Sequence, residues 1–296
     1  MDIQDFVNDL NSDERDIRLY ALKGVGTLGA DAYRAIPALL RLIHREKDIE
    51  LRWRAVAALG VVSLSSDEGI VALIRTFAER SRMVFSTAIL VLERIGDRAV
   101  PYLIEALQHD NFFIRSGAAG TLARMDRKGV EEAVPALLEC LLNDSNSSVR
   151  ASAAFALGTI RTSAENIEQG LIKAAEDSEW RVRDMAVSAV GKAGLSSDAV
   201  IATLIERLND EEDLVRYSAI SALNQIKPAS EKVLEPLCSL LTDEDVVMRT
   251  SAASLLGMVE PPPEQAVPGL EALLEDSAEE ARQAAQNALG RIISGT

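Results

Sequence analysis

The segment SSVRASAAFALGTI at residues 147–160 decides the fold, because related segments recur along the whole chain. In each copy an arginine, here Arg150, is followed three residues later by alanine and seven residues later by valine or leucine. We call the arginine the anchor and number the other positions of a copy from it. The third copy has phenylalanine in place of the arginine. The nine anchors are Arg18, Arg52, Phe85, Arg115, Arg150, Arg183, Arg216, Arg249 and Arg282.

Positions −1, +3, +7 and +10 are apolar in every copy, and they fall on one stripe of an α-helix. Alanine at +3 throughout indicates that another helix passes too close for a larger side chain. Glycine at +8 in six copies also indicates close approach between neighbouring copies, because glycine inside a helix costs about 1 kcal/mol relative to alanine. A second amphipathic segment precedes each anchor, for example AVPALLECLLND at 133–144. Each copy therefore predicts a helix A, a turn, and a helix B that carries the anchor.

The copies predict an all-α fold. One helical hairpin cannot bury its apolar stripe, whereas stacked hairpins bury a continuous core. We expect an α-α superhelix of about nine helical hairpins of about 33 residues each. One domain would span residues 1–296, with the first and last copies as caps. Gln286 in the last copy stands where every other copy has an apolar residue at +4, and it would give a cap its polar outer face.

The core pattern V-R-x-x-A-A-x-A-L-G reads VRASAAFALG at 149–158 and MRTSAASLLG at 248–257. It resembles the core of HEAT repeats, and most closely that of the short PBS-lyase HEAT-like repeats, named after phycobilisome lyases. The resemblance covers essentially the whole chain and implies a HEAT-like α-solenoid. It implies function less narrowly, because such arrays serve as scaffolds, lyase subunits, DNA-repair glycosylases and hydroxylases.

An aspartate precedes the anchor arginine by six residues in five copies. A carboxylate and a guanidinium at the turn between helices A and B can pair bidentately and satisfy N–H groups at the start of helix B. We expect these pairs to form a structural ladder that links the repeats; an anion-binding rail is the alternative. Phe85 interrupts the ladder, although Glu79 keeps the acidic position. The predicted pairs are Asp144 with Arg150, Asp177 with Arg183, Asp210 with Arg216, Asp243 with Arg249, and Asp276 with Arg282.

The net charge of −15 disfavours nucleic acid and membrane partners, because an acidic surface repels phosphates and anionic headgroups. The longest uncharged run, residues 55–66, is too short to span a bilayer. The N-terminal residues MDIQDFVNDL show no signal peptide. Two cysteines cannot form a disulfide framework, which points to a reducing compartment. We therefore expect a cytoplasmic protein.

The sequence predicts no catalytic residue, no metal and no cofactor. His44 and His109 lie two copies apart, too far to share a metal ion or a catalytic triad. Cys140 and Cys238 lie three copies apart on helices A and are expected to be buried structural thiols. HEAT-like deoxyhypusine hydroxylases bind iron through repeated His-Glu pairs, whereas here arginine and aspartate follow the two histidines. That activity is excluded.

The helix-B face is formed by positions −2, +1, +2, +5 and +9, which lie opposite the core stripe. In HEAT arrays helix B lines the concave side, so this face is the candidate groove for a partner or ligand. The alternative is that its long side chains fold over and bury one another. The candidate binding residues are Trp53, Arg54, Met83, Leu90, Phe113, Phe155, Met185, Leu214 and Tyr217.

The charges on the helix-B face comprise seven cations and four anions, a mildly positive lining that suits an acidic peptide or a carboxylate-bearing ligand better than DNA. The sequence favours a non-enzymatic scaffold that binds a segment of another protein in this groove. The alternative, implied by the repeat subtype, is a phycobilin lyase-like or other chromophore-handling subunit, with Arg54, Arg94 and Arg124 holding propionates. A DNA glycosylase is disfavoured because it needs a sustained basic groove.

Overall fold

The computed structural model describes residues 2–64, 66–79, 81–125, 129–160, 165–228, 230–259 and 263–294. Within these ranges the chain forms α-helices and short 3-10 helices and no β-strand. The α-helices alternate between helix A and helix B, as the repeat predicts. The helices A are α1 Ile3–Asp9, α3 Ile36–Arg45, α5 Asp67–Arg75, α7 Val100–Ala106, α9 Val134–Asn143, α11 Glu165–Ala174, α13 Asp198–Arg207, α15 Ser230–Leu240 and α17 Val267–Leu273. The helices B are α2 Arg15–Val25, α4 Ile49–Ser63, α6 Arg82–Ile95, α8 Phe112–Leu122, α10 Ser147–Thr159, α12 Trp180–Ala193, α14 Asp213–Ile226, α16 Val246–Leu256 and α18 Glu279–Ser294.

The chain divides into two compact units, Met1–Ala156 and Leu157–Thr296, and α10 begins in the first and ends in the second. In the first unit α4 packs between α2 and α6, and α6 also packs against α8. In the second unit α14 packs between α12 and α16, and α16 also packs against α18. In each unit, successive helices B therefore lie side by side. The expectation of one domain over residues 1–296 stays a prediction.

Proline and capping residues set where many of the helices begin. Four helices A, namely α3, α7, α9 and α17, have proline in their first turn, where its missing N–H costs no helical hydrogen bond. Pro236 differs, because it lies inside α15. Several helices B begin at a side-chain cap: the carboxylate of Asp48 accepts from the N–H of Glu50 at 2.8 Å, and Asn111 accepts from the N–H of Phe113 at 2.9 Å.

The core lies on three positions of the predicted stripe, −1, +3 and +7. Position +10 departs from the prediction, because it is buried only at Val62, Met125, Ile160 and Val259 and is exposed at Ala193. The alanines at +3 have no exposed surface in any copy, and the residues at +7 are buried in every copy. Position −1 is also buried, except at Ile17, which is half-buried. The alanines are Ala21, Ala55, Ala88, Ala118, Ala153, Ala186, Ala219, Ala252 and Ala285.

Four of the six glycines at +8 mark close contacts with the next helix B, and Gly26 and Gly290 do not. A Cβ atom on Gly158 would lie 2.5 Å from Cα of Ala189, and one on Gly257 would lie 2.7 Å from Cα of Ala288. Such distances are shorter than any normal carbon–carbon contact, so a larger residue would push the two helices apart. The predicted close approach of neighbouring copies is present at these positions.

No helix in the described part of the chain is both long and apolar enough to cross a membrane.

We expect Gly158→Ala to destabilise the protein by about 1–3 kcal/mol, because the added methyl group must force neighbouring backbone to move. Urea unfolding followed by circular dichroism would measure the change. Gly290→Ala is the matched control, because a Cβ atom there would meet no atom within 4 Å and alanine is the better helix former. Equal stability of the two variants would contradict the close approach.

Candidate functional site

The anchor arginines make two kinds of bond, which Arg183 shows in full. Its Nη1 donates to the main-chain oxygens of Asp177 and Ser178, at 3.0 and 3.2 Å, and so ties down the turn before its own helix. Its Nε and Nη2 donate to both carboxylate oxygens of Asp210 in the next copy, at 2.9 and 2.8 Å. The side chains of both residues are buried. The same bidentate bond joins Arg115 to Asp144 and Arg249 to Asp276.

The pairing therefore differs from the predicted one. The sequence paired each arginine with the carboxylate six residues earlier, but that aspartate gives the arginine its main-chain oxygen. Arg150 bonds Asp144 in this way at 2.9 Å, and Arg249 bonds Asp243 at 2.8 Å. The carboxylate of Asp144 accepts instead from the N–H of Asn146 and from the preceding copy's arginine. In Asp144 one carboxylate oxygen accepts from both the N–H of Asn146 and Nη2 of Arg115, and the other accepts from Nε of Arg115.

Arg18 and Arg52 bond a glutamate of the next copy instead, Glu46 and Glu79, through one nitrogen each. Within the described part of the chain, three other anchors bond no carboxylate of a following copy. The guanidinium of Arg216 bonds Asp213 on its own helix at 2.8 Å, and this carboxylate is exposed. Arg282 likewise pairs with a glutamate three residues earlier. The ring of Phe85 packs against buried Phe77, with 5.2 Å between ring centroids. Phe85 thus adds to the apolar core in the copy where it cannot form a rung.

The carboxyl groups of the ladder are stabilised in their charged form. Burial alone would raise the pKa of Asp210, but the hydrogen bonds from Arg183 and from the N–H of Glu212 hold that pKa below its ordinary value of 3.8. In Asp276 the hydrogen bond from Arg249 is the main cause of a lowered pKa. The ladder thus depends on ionised carboxylates.

The helix-B face of the first unit carries large apolar side chains that the core leaves uncovered. Met83 and Leu90 on α6 are 48% and 52% exposed, and Trp53, Phe113 and Phe155 are half-buried. The structure therefore places these predicted residues at the surface of the first unit. They remain accessible to a partner.

The guanidinium of Arg54 is already engaged. It lies over the ring of Trp53, 4.8 Å from the centroid, and forms an ion pair with Glu50 at 2.9 Å. Glu50 also binds Arg15 at 2.5 Å. The predicted cation at this point of the face is therefore neutralised within the protein.

Two phenylalanines flank a polar contact between α8 and α10. The hydroxyl oxygens of Ser116 and Ser152 lie 2.9 Å apart. Phe113 precedes Ser116 by one helical turn, and Phe155 follows Ser152 by one turn. At 1.5 Å per residue, the two rings are offset by about 10 Å along the helix axes. The ring of Phe113 also packs on that of Phe112, with centroids 4.1 Å apart.

Gly120 leaves an opening in the same face. It lies in the last turn of α8, and a Cβ atom there would meet no atom within 4 Å. Leu90 on α6 and Phe155 on α10 occupy the same register position, +5, on the two flanking copies. The only signal in the sequence is glycine at a position where the neighbouring copies have large apolar residues.

The helix-B face of the second unit is more polar. Leu214 is 53% exposed and Met185 is half-buried. The hydroxyl of Tyr217 donates to Asp245 at the start of the next helix B, so this predicted anchor already links two copies. Beside it, the hydroxyl of Ser218 donates to Asp184 at 2.5 Å, and burial raises the pKa of that carboxyl.

The remaining reactive side chains have structural roles. Cys140 and Cys238 are free thiols, and Cys140 is buried as expected, whereas Cys238 is only half-buried. Burial raises the pKa of Cys140 to about 11 and also raises that of Cys238. The ring of His44 contacts Glu79 at 3.2 Å, and that of His109 accepts from the N–H of Asn111 at 2.9 Å. Among the described residues no group of three or more potential metal ligands occurs.

An open pocket of about 370 Å³ lies between helices A of the first unit. Its lining combines the apolar Val71 and Ile74 from α5 with the polar Arg75, Tyr102 and His109. The sequence analysis did not predict it. It is lined by residues of the third copy, whose anchor is Phe85, and of the fourth copy.

The sequence matches the model of the family described as HEAT repeats at residues 68–158, 134–224, 168–257 and 201–290. These overlapping matches cover more than half of the chain. The chain belongs to the HEAT-repeat family. The predicted fold class, an all-α HEAT-like α-solenoid, is confirmed. The closer resemblance to PBS-lyase-type repeats stays a prediction.

Solved structures share this fold at low sequence identity. The chain is similar to the Escherichia coli protein YibA, with a TM-score of 0.60 and 20% identity over 96% of this chain and 98% of that one. It is similar to Kap121p, with a TM-score of 0.59 and 16% identity over 99% of this chain and 37% of that one. An engineered protein gives a TM-score of 0.53 and 24% identity over 66% and 97%. Because these identities are all below 25%, the likenesses show the fold alone. No curated protein matched.

We expect Arg183→Ala to destabilise the protein by about 1–3 kcal/mol, because it leaves the buried Asp210 carboxylate without its bidentate partner. Arg216→Ala is the matched control, because its carboxylate partner is solvent-exposed and such pairs contribute about 0–1 kcal/mol. Urea unfolding of both variants would measure the difference. An equal loss in the two would show that the bidentate rung adds no stability.

The ladder also predicts a loss of stability in acid. The pKa of Asp210 is lower in the folded chain than its ordinary value of 3.8, so protonation favours the unfolded chain. The stabilisation is present above pH 3.8 and is lost as the pH falls through the folded-state pKa. Unfolding midpoints measured between about pH 6 and about pH 3 should fall, and they should fall less in Asp210→Asn. An unchanged pH dependence in that variant would contradict the assignment.

Proposed function

We propose that this protein is a non-enzymatic scaffold that binds a segment of a partner protein on its helix-B face. The observation that carries the proposal is the set of large apolar side chains on the first unit that are exposed or half-buried. Trp53, Met83, Leu90, Phe113 and Phe155 come from four successive helices B, and none belongs to the core stripe. The HEAT-repeat fold supports the proposal, because such arrays typically present surfaces to other proteins.

The energetics of burial favour a protein partner. Covering one large apolar side chain contributes about 1.5–3 kcal/mol, and aromatic residues in a desolvated patch commonly dominate binding energy. Trp53, Phe113 and Phe155 are already half-buried, so each of them gains less than this full value on binding. Contact of this apolar surface with water is unfavourable compared with its burial against a partner.

The charge distribution favours a protein over nucleic acid, a membrane or a bilin. The chain carries −15 overall, which opposes phosphate-bearing partners. The bilin alternative needs available guanidinium groups for two propionates. Arg54 is paired with Glu50, and Arg124 is paired with Glu93, so two of the three predicted arginines are already neutralised. A cytoplasmic location and the absence of a metal or cofactor belong to the same proposal.

The second unit contributes a smaller part of the proposed surface. Leu214 and Met185 are accessible, whereas the hydroxyl of Tyr217 is bonded to Asp245. We therefore assign the main anchors to the first unit.

A Phe113→Ser, Phe155→Ser double variant should fold and lose the partner that the wild-type protein retains on an affinity column. Both rings are half-buried and lie off the core stripe, so the unfolding midpoint should change little. Ile293→Ser is the matched control, because Ile293 is 77% exposed in α18 of the second unit, outside the proposed face. Retention would be quantified by mass spectrometry against the wild type.

Two results would sink this assignment. Loss of folding in the double variant would show that the two rings belong to the core. Unchanged retention with normal folding would show that the partner binds elsewhere.

A further inference from the structure

We propose that Gly120 forms the floor of a notch that receives one bulky aliphatic side chain from an acidic partner segment. The inference rests on the proposed scaffold function and names both the contact point and the chemistry of the partner.

Gly120 has no internal reason to be glycine. It is helical, and its φ lies outside the left-handed region that favours glycine. A side chain there would clash with nothing within 4 Å. Gly117, one turn earlier on α8, is different, because a Cβ atom there would lie 2.5 Å from the ring of Phe77. Close packing therefore explains Gly117 and leaves Gly120 unexplained.

The side chains around Gly120 form the walls of the notch. Leu90 from the preceding copy and Phe155 from the following copy share its register position. Neighbouring packed helices lie about 8–10 Å apart, so the two apolar side chains stand on either side of an empty position. A leucine-sized side chain entering from outside would lie over Gly120, between the helices that carry the two apolar side chains.

The charges beside the notch select the partner. Arg94 and Arg124 follow Leu90 and Gly120 by one helical turn on the same face, and both are exposed. Glu93 pairs with Arg124, which leaves one net positive charge beside the notch in a chain that carries −15. An acidic segment is attracted to this point, whereas a basic segment is attracted to the acidic turns of the later copies, such as residues 209–213. The partner is therefore a segment that combines one aliphatic side chain with neighbouring aspartate or glutamate.

The test uses the full-length chain and a displayed library of random short peptides selected on it. The selected peptides should share one leucine, isoleucine or methionine flanked by acidic residues. Their dissociation constants are then measured for the wild type, Gly120→Ala, Gly120→Leu and Arg94→Gln. Gly290→Leu is the matched control, because a Cβ atom there also meets no atom within 4 Å on a helix.

Filling the notch should weaken binding in steps, by severalfold in Gly120→Ala and by at least about tenfold in Gly120→Leu. The thermal midpoints of both variants should equal or exceed that of the wild type, because alanine and leucine are better helix formers than glycine. Gly290→Leu should bind as the wild type does. Arg94→Gln should weaken binding at low salt and reduce its salt dependence.

The results separate the notch from the broader function. Peptides that lose binding in the Phe113→Ser, Phe155→Ser variant but bind Gly120→Leu normally would overturn the notch and leave the scaffold function standing. Peptides that depend on neither set of residues would overturn both. A wild-type dimer that Gly120→Leu dissociates would overturn the proposed partner, because the occupant would then be a second copy of this chain.

Discussion

The close approach of neighbouring helices B is the constraint on which the rest of the structure depends. Alanine at +3 and glycine at +8 remove the side chains that would hold the helices apart, so that Gly158 faces the backbone of Ala189 directly. A short distance between helices lets the apolar residues at −1 and +7 pack without gaps. The same packing repeats from copy to copy, and for this reason the core pattern tolerates so little variation. Side chains that point away from this contact are not constrained by the packing between helices.

The ladder adds a second, polar link at the turns, where the apolar core ends. One guanidinium, as in Arg183, fixes the turn of its own copy through main-chain oxygens and joins the next copy through a carboxylate. Because both charges are buried and fully hydrogen-bonded, the pair fixes the register of adjacent copies. Phe85 shows that one missing rung is tolerated, since its ring packs on Phe77 and replaces polar bonding with apolar contact. The apolar core and the ladder thus both stabilise the contact between neighbouring copies.

Most of the fold could be predicted from the sequence, because nine copies repeat the same apolar positions and random variation averages out. The exposed apolar residues of the helix-B face, such as Leu90, could also be placed, since a helix that buries one stripe exposes the opposite one. The arginine that each ladder aspartate bonds could not be predicted from the sequence. The within-copy and the between-copy arginine recur with the same period, so the spacing does not distinguish them. What decides is the turn geometry at Asp144, whose carboxylate caps the N–H of Asn146 and faces the preceding copy.

Departures from the repeat carry the functional information that the repeat itself lacks. A residue shared by all copies answers to the packing between copies, so it says little about an external partner. A residue that differs between copies is explained by a contact particular to its own copy. Tyr217 differs and is explained by its bond to Asp245, and Phe85 is explained by Phe77. Gly120 differs, and a Cβ atom there would meet no atom within 4 Å. No contact within the described part of the chain explains this glycine, which lies on an accessible face between two apolar side chains. A contact with a second molecule would explain it.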